Sequence, residues 1–271
     1  MNSGFLKVFM GGDIFSDAGI DVVERKLKKL REEFSIDFVI YNGENASGGN
    51  GLLEPDARRI FAAGVDVITG GNHIFEKRDN YPFLASEKHV LRPENYPKGL
   101  GSLIEGAEET PGRGFAFFDC ADKKIAVLNL QGRESMTALD CPFRAAAECA
   151  KQAAEQNAPL FIDFHAEAND EKEALALFLD GKAAALCGTH THVQTADERI
   201  LPKGTAYLTD LGMSGVADSV IGSDAEIVIK RNLTQVLYKM ENAAGESVIQ
   251  GALITVDLST NKAVKIERIQ Y

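Results

Sequence analysis

Short apolar runs alternate with amphipathic helical patterns through the first 70 residues of the chain. In the first helical segment, Ile20, Val23 and Leu27 recur at the spacing of one helix face, and charged residues occupy the other face. The alternation predicts parallel strands joined by right-handed helical crossovers. The predicted elements are strands at 6–10, 37–41 and 65–69, with helices at 17–34 and 54–63 between them.

The rest of the chain adds hairpins to this pattern. The further predicted elements are strands at 114–119 and 124–130, a helix at 142–156, a strand at 160–164, a helix at 171–179, a strand at 183–187, and strands at 251–258 and 263–269. A short turn separates the first two of these strands and also the last two, which is typical of hairpins. Because no interior linker or repeat interrupts the pattern, we expect residues 1–271 to form one α/β domain, with a mixed sheet or two sheets and outer helices.

Charge and composition argue against several functional classes. The chain has 40 acidic and 29 basic residues, a net charge of -11, which is the wrong sign for a broad face that binds duplex nucleic acid. No apolar run is long enough to span a bilayer, and the N-terminal residues lack a signal-peptide pattern. The four cysteines show no CxxC spacing, which is typical of reduced thiols. We therefore expect a cytoplasmic protein with no membrane partner, and a homo-oligomer is left open.

Side chains that can bind metals follow the ends of five predicted strands. In open α/β sheets, ligands bind beyond the carboxyl ends of the strands, so all five loops are expected to face one cleft. Carboxylate, amide and imidazole groups without a thiolate suit iron, manganese, cobalt or zinc. Glu44, at a turn flanked by glycine, is the natural carboxylate to bridge two ions about 3.5–4 Å apart. The residues are Asp13, Glu44 with Asn45, Asn72 with His73, His165, and His190 with His192.

Taken singly, most of these residues have a simpler interpretation. Asp13 suits a helix N-cap, and His165, after an apolar run, suits a buried core position. Asn45 and Asn72 suit turns, where asparagine tolerates the left-handed conformation. The histidine pair is harder to explain by packing, because two imidazoles flank one threonine at a strand end. The combination, more than any one residue, predicts a metal centre. His89 lacks such neighbours and is predicted to be structural.

Several motifs occur in one order along the chain. They are Asn42-Gly43-Glu44-Asn45-Ala46, Gly71-Asn72-His73, Asn129-Leu130-Gln131-Gly132-Arg133, the segment 161–167 and the segment 188–197, followed by 200–207 and 262–269. Together they resemble the YmdB-like family of bacterial calcineurin-type metallophosphoesterases, and the resemblance covers nearly the whole chain. It implies a four-layer α/β sandwich in which two mixed β-sheets are flanked by helices.

The resemblance also implies a dinuclear metal centre of iron or manganese, with zinc or cobalt as alternatives. The implied ligands of one ion are Asp13, Glu44, Asn45 and His192, and those of the other are Glu44, Asn72, His165 and His190. His73 matches the family's proton donor. The implied substrates are small 2′,3′-cyclic nucleotides, with 3′,5′-cyclic ones as an extension. A metal-bridging hydroxide would attack phosphorus while His73 protonates the departing oxygen.

One segment departs from the family, and two other functions compete with this one. Residues 14–19 stand where the family carries a loop with glycine and proline, which bears on substrate preference more than on ligation. The first competing function is a regulatory protein that senses a nucleotide and turns it over incidentally. The second is a metal-dependent amidohydrolase, which also uses His-x-His, but its (β/α)8 pattern with an early His-x-His is missing.

Overall fold

Two mixed β-sheets form the centre of the fold. The structure is a computed structural model that describes residues 4–107, 109–120 and 123–271. The strands are β1 (Phe5–Ile14), β2 (Phe38–Asn42), β3 (Val67–Thr69), β4 (Val90–Leu91), β5 (Phe115–Cys120), β6 (Lys123–Gln131), β7 (Leu160–His165), β8 (Ala185–Thr189), β9 (Arg199–Ile200), β10 (Ala206–Leu208), β11 (Met213–Val216), β12 (Ser247–Val248), β13 (Gln250–Asp257) and β14 (Lys262–Gln270). The helices are α1 (Ser16–Phe34), α2 (Glu54–Ala62), α3 (Tyr81–Ser86), α4 (Leu100–Leu103), α5 (Pro142–Glu155), α6 (Asn169–Phe178) and α7 (Ala225–Thr234), with a 3₁₀ turn at Arg78–Asn80.

The first sheet is built around β1. Strands β1, β2 and β3 are parallel neighbours in that order, as the alternating pattern predicts, and β4 pairs parallel with β3. On its other side β1 has two partners, since β13 pairs antiparallel with residues 5–11 and β11 pairs parallel with Asp13 and Ile14. β14 then pairs with β13, and β12 with β11. The end of β1 therefore lies between β2 and β11.

The second sheet has the order β5-β6-β7-β8-β10-β9. Its four central strands are parallel, and an antiparallel strand closes each edge. Both predicted hairpins are confirmed, as β5–β6 and β13–β14. Residues 121 and 122, in the predicted turn of the first hairpin, lie outside the described residues, as does Glu108 in the loop before β5.

Alternation of side chains along the strands separates three apolar layers. Val8 of β1 packs between the two sheets with Phe161 of β7. Phe9 points the other way and packs with α1 and α2 against the outer face of the first sheet. The outer face of the second sheet is covered by α5 and α6, with Ile162 and Phe164 in the contact. The predicted α/β fold with two mixed sheets flanked by helices is therefore confirmed, and the single domain over residues 1–271 stays a prediction.

The structure extends two strands, β1 and β8, by two or more residues beyond their predicted ends. β1 continues through Gly11 and Gly12 to Ile14. At Gly12 a Cβ atom would lie 2.1 Å from the carbonyl oxygen of Gly212, so the glycine allows close approach to the neighbouring chain segment. β8 runs over Ala185–Thr189, two residues later than predicted, and this places Thr189 inside the sheet. The short strands β4 and β9 to β12 and the helix α7 were not predicted.

Other sequence predictions concern membranes and single residues. Within the described ranges, no helix combines the length and apolar character that crossing a membrane requires. The cytoplasmic location stays a prediction. All four cysteines are free thiols, as expected. Nδ1 of His89 lies 2.8 Å from the carbonyl oxygen of Asp66, and the ring packs on Phe118. Both contacts agree with a structural role.

Candidate metal centre

The carboxyl ends of strands from both sheets meet at one edge of the sandwich. Asp13, the penultimate residue of β1, lies beside Asn42 of β2, and His165 ends β7 beside Thr189 of β8. Hydrogen bonds join the two sheets here: Asn42 Nδ2 donates to Asp163 Oδ2 at 2.9 Å, and the His190 amide donates to Asp13 Oδ2 at 3.2 Å. The five loops that carry the predicted ligands therefore face one cleft.

One group of ligand atoms converges on Nε2 of the fully buried His165. Asn72 Oδ1 lies 2.9 Å from that nitrogen, His190 Nδ1 lies 3.0 Å from it and Glu44 Oε1 lies 3.1 Å from it. The atoms of Glu44, His165 and His190 all fall within 4.8 Å of one another. A proton on Nε2 can serve only one of the three neighbours, so lone pairs are brought together that a cation would satisfy. These residues fit a metal ion.

A second group surrounds the buried carboxylate of Asp13. Asp13 Oδ1 lies 3.6 Å from His192 Nε2. The Asn45 side-chain nitrogen lies 3.0 Å from Glu44 Oε1, 3.2 Å from His192 Nε2 and 3.5 Å from Asp13 Oδ1. A half-turn of the Asn45 carboxamide would present its oxygen at the same place, as a cation requires. The two groups have the membership that the family resemblance implies.

Glu44 lies between the two groups. Its Oε1 faces His165 on one side and Asn45 on the other, whereas its Oε2 accepts the His73 amide at 2.8 Å. Gly71 allows this packing, because a Cβ there would lie 2.3 Å from Glu44 Oε2 and 2.4 Å from the His165 ring. The single oxygen Oε1 is therefore the atom of Glu44 directed at both groups.

Five of these residues have shifted pKa values: those of Asp13, Glu44 and His190 are lowered, and those of His165 and His192 are raised. Burial raises the pKa of Asp13 and lowers that of His192, but the attraction between the two groups outweighs burial. The pKa of Asp13 consequently falls to about 2, and that of His192 rises to about 9. Burial and the positive charge of His165 lower the pKa of His190 to about 4, so this ring is neutral at neutral pH.

The second ring nitrogen of each histidine has an acceptor, which fixes the orientation of the ring. His165 Nδ1 lies 2.9 Å from Thr189 Oγ1, and His190 Nε2 lies 3.2 Å from Glu167 Oε2. His192 Nδ1 lies 2.9 Å from the carbonyl oxygen of Ile221, which can only accept. The nitrogen left to bind an ion is then Nε2 in His165 and His192 and Nδ1 in His190. Such partners are typical of histidines that bind metals.

The histidine loop has an unusual backbone. The φ angle of His190 is 106° and that of His192 is 63°, in a region that residues with a side chain rarely adopt. Strained conformations of this kind concentrate at functional sites and persist only where the surroundings hold them.

His73 lies beside the two groups but outside them. Its side chain is 37% exposed, and Nδ1 lies 3.5 Å from Glu76 Oε1. Its backbone amide is bound to Glu44 Oε2. The ring therefore stands at the solvent side of the site, where a group that exchanges protons with a substrate would be expected.

The simpler interpretation of Asp13 does not hold, and that of Asn72 holds in part, because Asn72 lies in a turn. Helix α1 begins after Phe15, with no side-chain cap, so Asp13 is not its N-cap. Asn72 does not adopt the left-handed conformation. Phe15 lies in the segment that departs from the family, and its ring packs edge-on against His192 at 5.5 Å.

Sequence reasoning missed the residues that support the ligands. Asp163 is 2% exposed and accepts Thr189 Oγ1 at 2.7 Å, Asn42 Nδ2 at 2.9 Å and Thr69 Oγ1 at 2.5 Å. Burial raises its pKa to about 6. An acidic residue inside the apolar strand β7 was a visible signal. The contact with the Ile221 carbonyl had no such signal, because every residue has a backbone carbonyl.

Comparison with known proteins finds relatives along almost the whole chain. A family model described as YmdB-like protein matches residues 9–269. A 2′,3′-cyclic-nucleotide 2′-phosphodiesterase from Bacillus subtilis strain 168 is 43% identical over 264 residues, which cover 97% of this chain and 96% of that protein.

Two solved structures share the fold. A hypothetical protein from Thermus thermophilus is 35% identical, with a TM-score of 0.87 over 98% of this chain and 99% of that one. A protein described as a novel phosphatase from Mycoplasma pneumoniae is 32% identical, with a TM-score of 0.90 over 100% of this chain and 94% of that one.

Proposed function

The chain belongs to the YmdB-like family, and from this membership we propose that it is a metal-dependent phosphodiesterase of 2′,3′-cyclic nucleotides, extending to 3′,5′-cyclic ones. The name of the Bacillus subtilis relative supports the reaction and the substrate class. The observation that carries the metal dependence is the convergence of Asn72, His190 and Glu44 on His165 Nε2.

The two groups of residues would hold two metal ions, with iron and manganese as the first candidates. Asp13, Asn45 and His192 would bind one ion, Asn72, His165 and His190 the other, and Glu44 would serve both. Bound ions of this kind lower the pKa of water to near neutrality and offset negative charge on phosphoryl oxygens.

His73 is proposed as the proton donor to the departing oxygen. Because its Nδ1 faces Glu76, Nε2 is the nitrogen available to hold the proton. The bond between its backbone amide and Glu44 fixes the ring next to the site. Protonation of the 2′ oxygen would open a 2′,3′-cyclic phosphate to a 3′-phosphate.

An aromatic cluster beside His73 is proposed to receive the base of the nucleotide. Phe75 follows His73 by two residues, and its ring centroid lies 5.0 Å from that of Tyr96 and 5.6 Å from that of Tyr81. Together with residues 109–111 they line a cavity of about 340 Å³. Burial and the Glu44 carboxylate raise the pKa of Tyr96. A half-buried aromatic wall suits a stacked base.

Tyr96→Leu is expected to raise the KM for adenosine 2′,3′-cyclic phosphate by roughly 5- to 150-fold, since stacking one base contributes about 1–3 kcal/mol. A base-free substrate, glycerol 1,2-cyclic phosphate, should be affected little. Steady-state kinetics on both substrates measure the difference, with Tyr271→Leu as the control. Equal losses on the two substrates would exclude a base site at Tyr96.

The proposed reaction is tested directly with purified, chelator-treated protein reloaded with manganese or iron. We expect about two ions per chain and conversion of 2′,3′-cyclic AMP to the 3′-phosphate, resolved by chromatography from the 2′ isomer. If the chain were instead a regulatory protein that senses a nucleotide, it would bind the nucleotide tightly and hydrolyse it negligibly with either metal. A metal content well below two ions would remove the dinuclear centre from the proposal.

Metal binding is expected to release protons. The pKa of His192 is raised to about 9, so its ring is charged at pH 7 and must lose a proton to offer Nε2. Raising the pH toward 9 should therefore strengthen binding by about tenfold per unit for each proton displaced, and lowering it should weaken binding. Calorimetric titration with Mn²⁺ in buffers of different ionisation enthalpy measures the number of protons released per ion bound. At about pH 10 His192 should release no proton when metal binds, because its ring is then already neutral. A number of released protons that does not change with pH would refute the role of His192.

A further inference from the structure

A fully buried ion pair lies beneath the histidine loop. Lys172 of α6 and Asp210, which follows β10, are both 0% exposed, and Lys172 Nζ lies 2.9 Å from Asp210 Oδ2. Removing two charges from water costs more than their attraction commonly returns, so a buried pair is weak evidence of a stabilising role. Neither residue is among the proposed ligands. The pair therefore calls for another explanation.

Asp210 is bonded to both parts of the site. Its Oδ2 accepts the Thr191 amide at 3.1 Å, and Thr191 stands between the two ligand histidines. Its Oδ1 accepts a hydrogen bond from the Gly212 amide at 2.9 Å. The Gly212 carbonyl in turn accepts a hydrogen bond from the Asp13 amide at 3.1 Å. One carboxylate thus connects the histidine loop with the end of β1.

Lys172 fixes the carboxylate from below. Its stem passes under Gly188, where a Cβ would lie 2.8 Å from Lys172 Cδ and 1.9 Å from the Thr209 carbonyl oxygen. The ammonium group meets the oxygen that also accepts from Thr191. The aspartate is consequently held in a single position by one ammonium and two amide donors.

From this arrangement we propose that Lys172 and Asp210 are positioning residues, which hold the His190–His192 loop in its strained conformation before metal arrives. Both flanking histidines have positive φ angles, so the loop needs an external tie. The Thr191 amide lies between them and is tied by Asp210. The expected effect on metal binding rests on the proposed function. The positioning of the loop is a property of the metal-free protein.

Asp210→Asn is the first test, with Asp180→Asn as the matched control. Asp180 is also a buried carboxylate, but it accepts the amides of Lys203 and Thr205, away from the ligands. In metal-free protein, we expect faster hydrogen exchange at the Thr191 amide in Asp210→Asn and wild-type exchange there in Asp180→Asn. Affinity for Mn²⁺ should fall roughly 10- to 100-fold in the first variant alone, as for other groups that orient metal ligands.

A second variant covers the case in which Asp210→Asn does not fold because Lys172 is left buried without a counter-charge. Lys172→Met/Asp210→Leu removes both charges and the oxygen that accepts the hydrogen bond of the Thr191 amide. Apolar residues of similar volume often replace a buried ion pair without loss of stability, so this variant should fold. It should still show fast Thr191 exchange and weakened Mn²⁺ binding. Wild-type exchange and Mn²⁺ affinity in a folded Asp210 variant would overturn the proposal, and so would an equal loss in Asp180→Asn.

The outcomes also separate this inference from the proposed function. A wild-type protein that binds Mn²⁺ tightly but hydrolyses no cyclic nucleotide would refute the function and leave the positioning role intact. Hydrogen exchange in metal-free protein reports on the loop in either case.

Discussion

Glu44→Gln is expected to reduce phosphodiesterase activity by about 10³-fold or more, because it removes several kcal/mol of transition-state stabilisation. Glu44 Oε1 faces both groups of candidate ligands, through His165 at 3.1 Å and Asn45 at 3.0 Å. The amide has the same shape but no charge, and one of its two positions becomes an NH₂ group that repels a cation. Its oxygen can still accept the His73 amide, so the protein should stay folded. Turnover of bis-p-nitrophenyl phosphate and metal content are the measurements.

The control for this prediction is Glu171→Gln. Glu171 is also buried, and its carboxylate accepts the amides of Arg133 and Glu134, away from the metal ligands. The same chemical change there should leave turnover and metal content near wild type. Undiminished turnover in Glu44→Gln, with two ions bound, would contradict the central role of this carboxylate.

His73→Ala is expected to slow cleavage by roughly 10²- to 10⁴-fold for substrates with a poor leaving group. A ribose 2′ oxygen needs a proton as it leaves, whereas p-nitrophenolate leaves readily without one. The loss should therefore be large for 2′,3′-cyclic nucleotides and small for bis-p-nitrophenyl phosphate. The ratio of kcat/KM for the two substrates, variant against wild type, measures this dependence.

His89→Ala serves as the control, since His89 is exposed and bonded to Asp66 away from the ligands. His89→Ala should leave kcat/KM unchanged for both substrates, and therefore also the ratio between them. Equal losses on both substrates in His73→Ala would indicate that His73 supports the site through Glu44 and does not donate a proton.

The sequence allowed the long elements of the fold to be predicted, because their apolar periods are determined locally. In α1 the buried residues Ile20, Val23 and Leu27 recur on one face, and β7 has its apolar run. The short strands lacked that signal. β10 has three residues, and its position follows from pairing with β8. α7 has no buried residue, so no apolar face marked it.

The candidate ligands could be predicted because each follows a strand predicted from the sequence and has a side chain that can bind a metal. Their surroundings could not, because those depend on contacts between distant segments. Asn42 and Asp163 are 121 residues apart and share a hydrogen bond. The bond from His192 to the Ile221 carbonyl depends on backbone geometry alone. Asp210 has no neighbour in sequence that suggests contact with Lys172.

The pairing of β1 has a consequence for synthesis of the chain on the ribosome. β1 is made before two of its partners, β11 and β13, which begin at Met213 and Gln250. Asp13 must therefore wait for about 200 further residues before β11 flanks it, and at roughly 5–20 residues per second that takes about ten seconds or more. The two groups of candidate ligands therefore cannot come together while the chain is still short. Any ion that the complete set holds would bind only after β11 has been made.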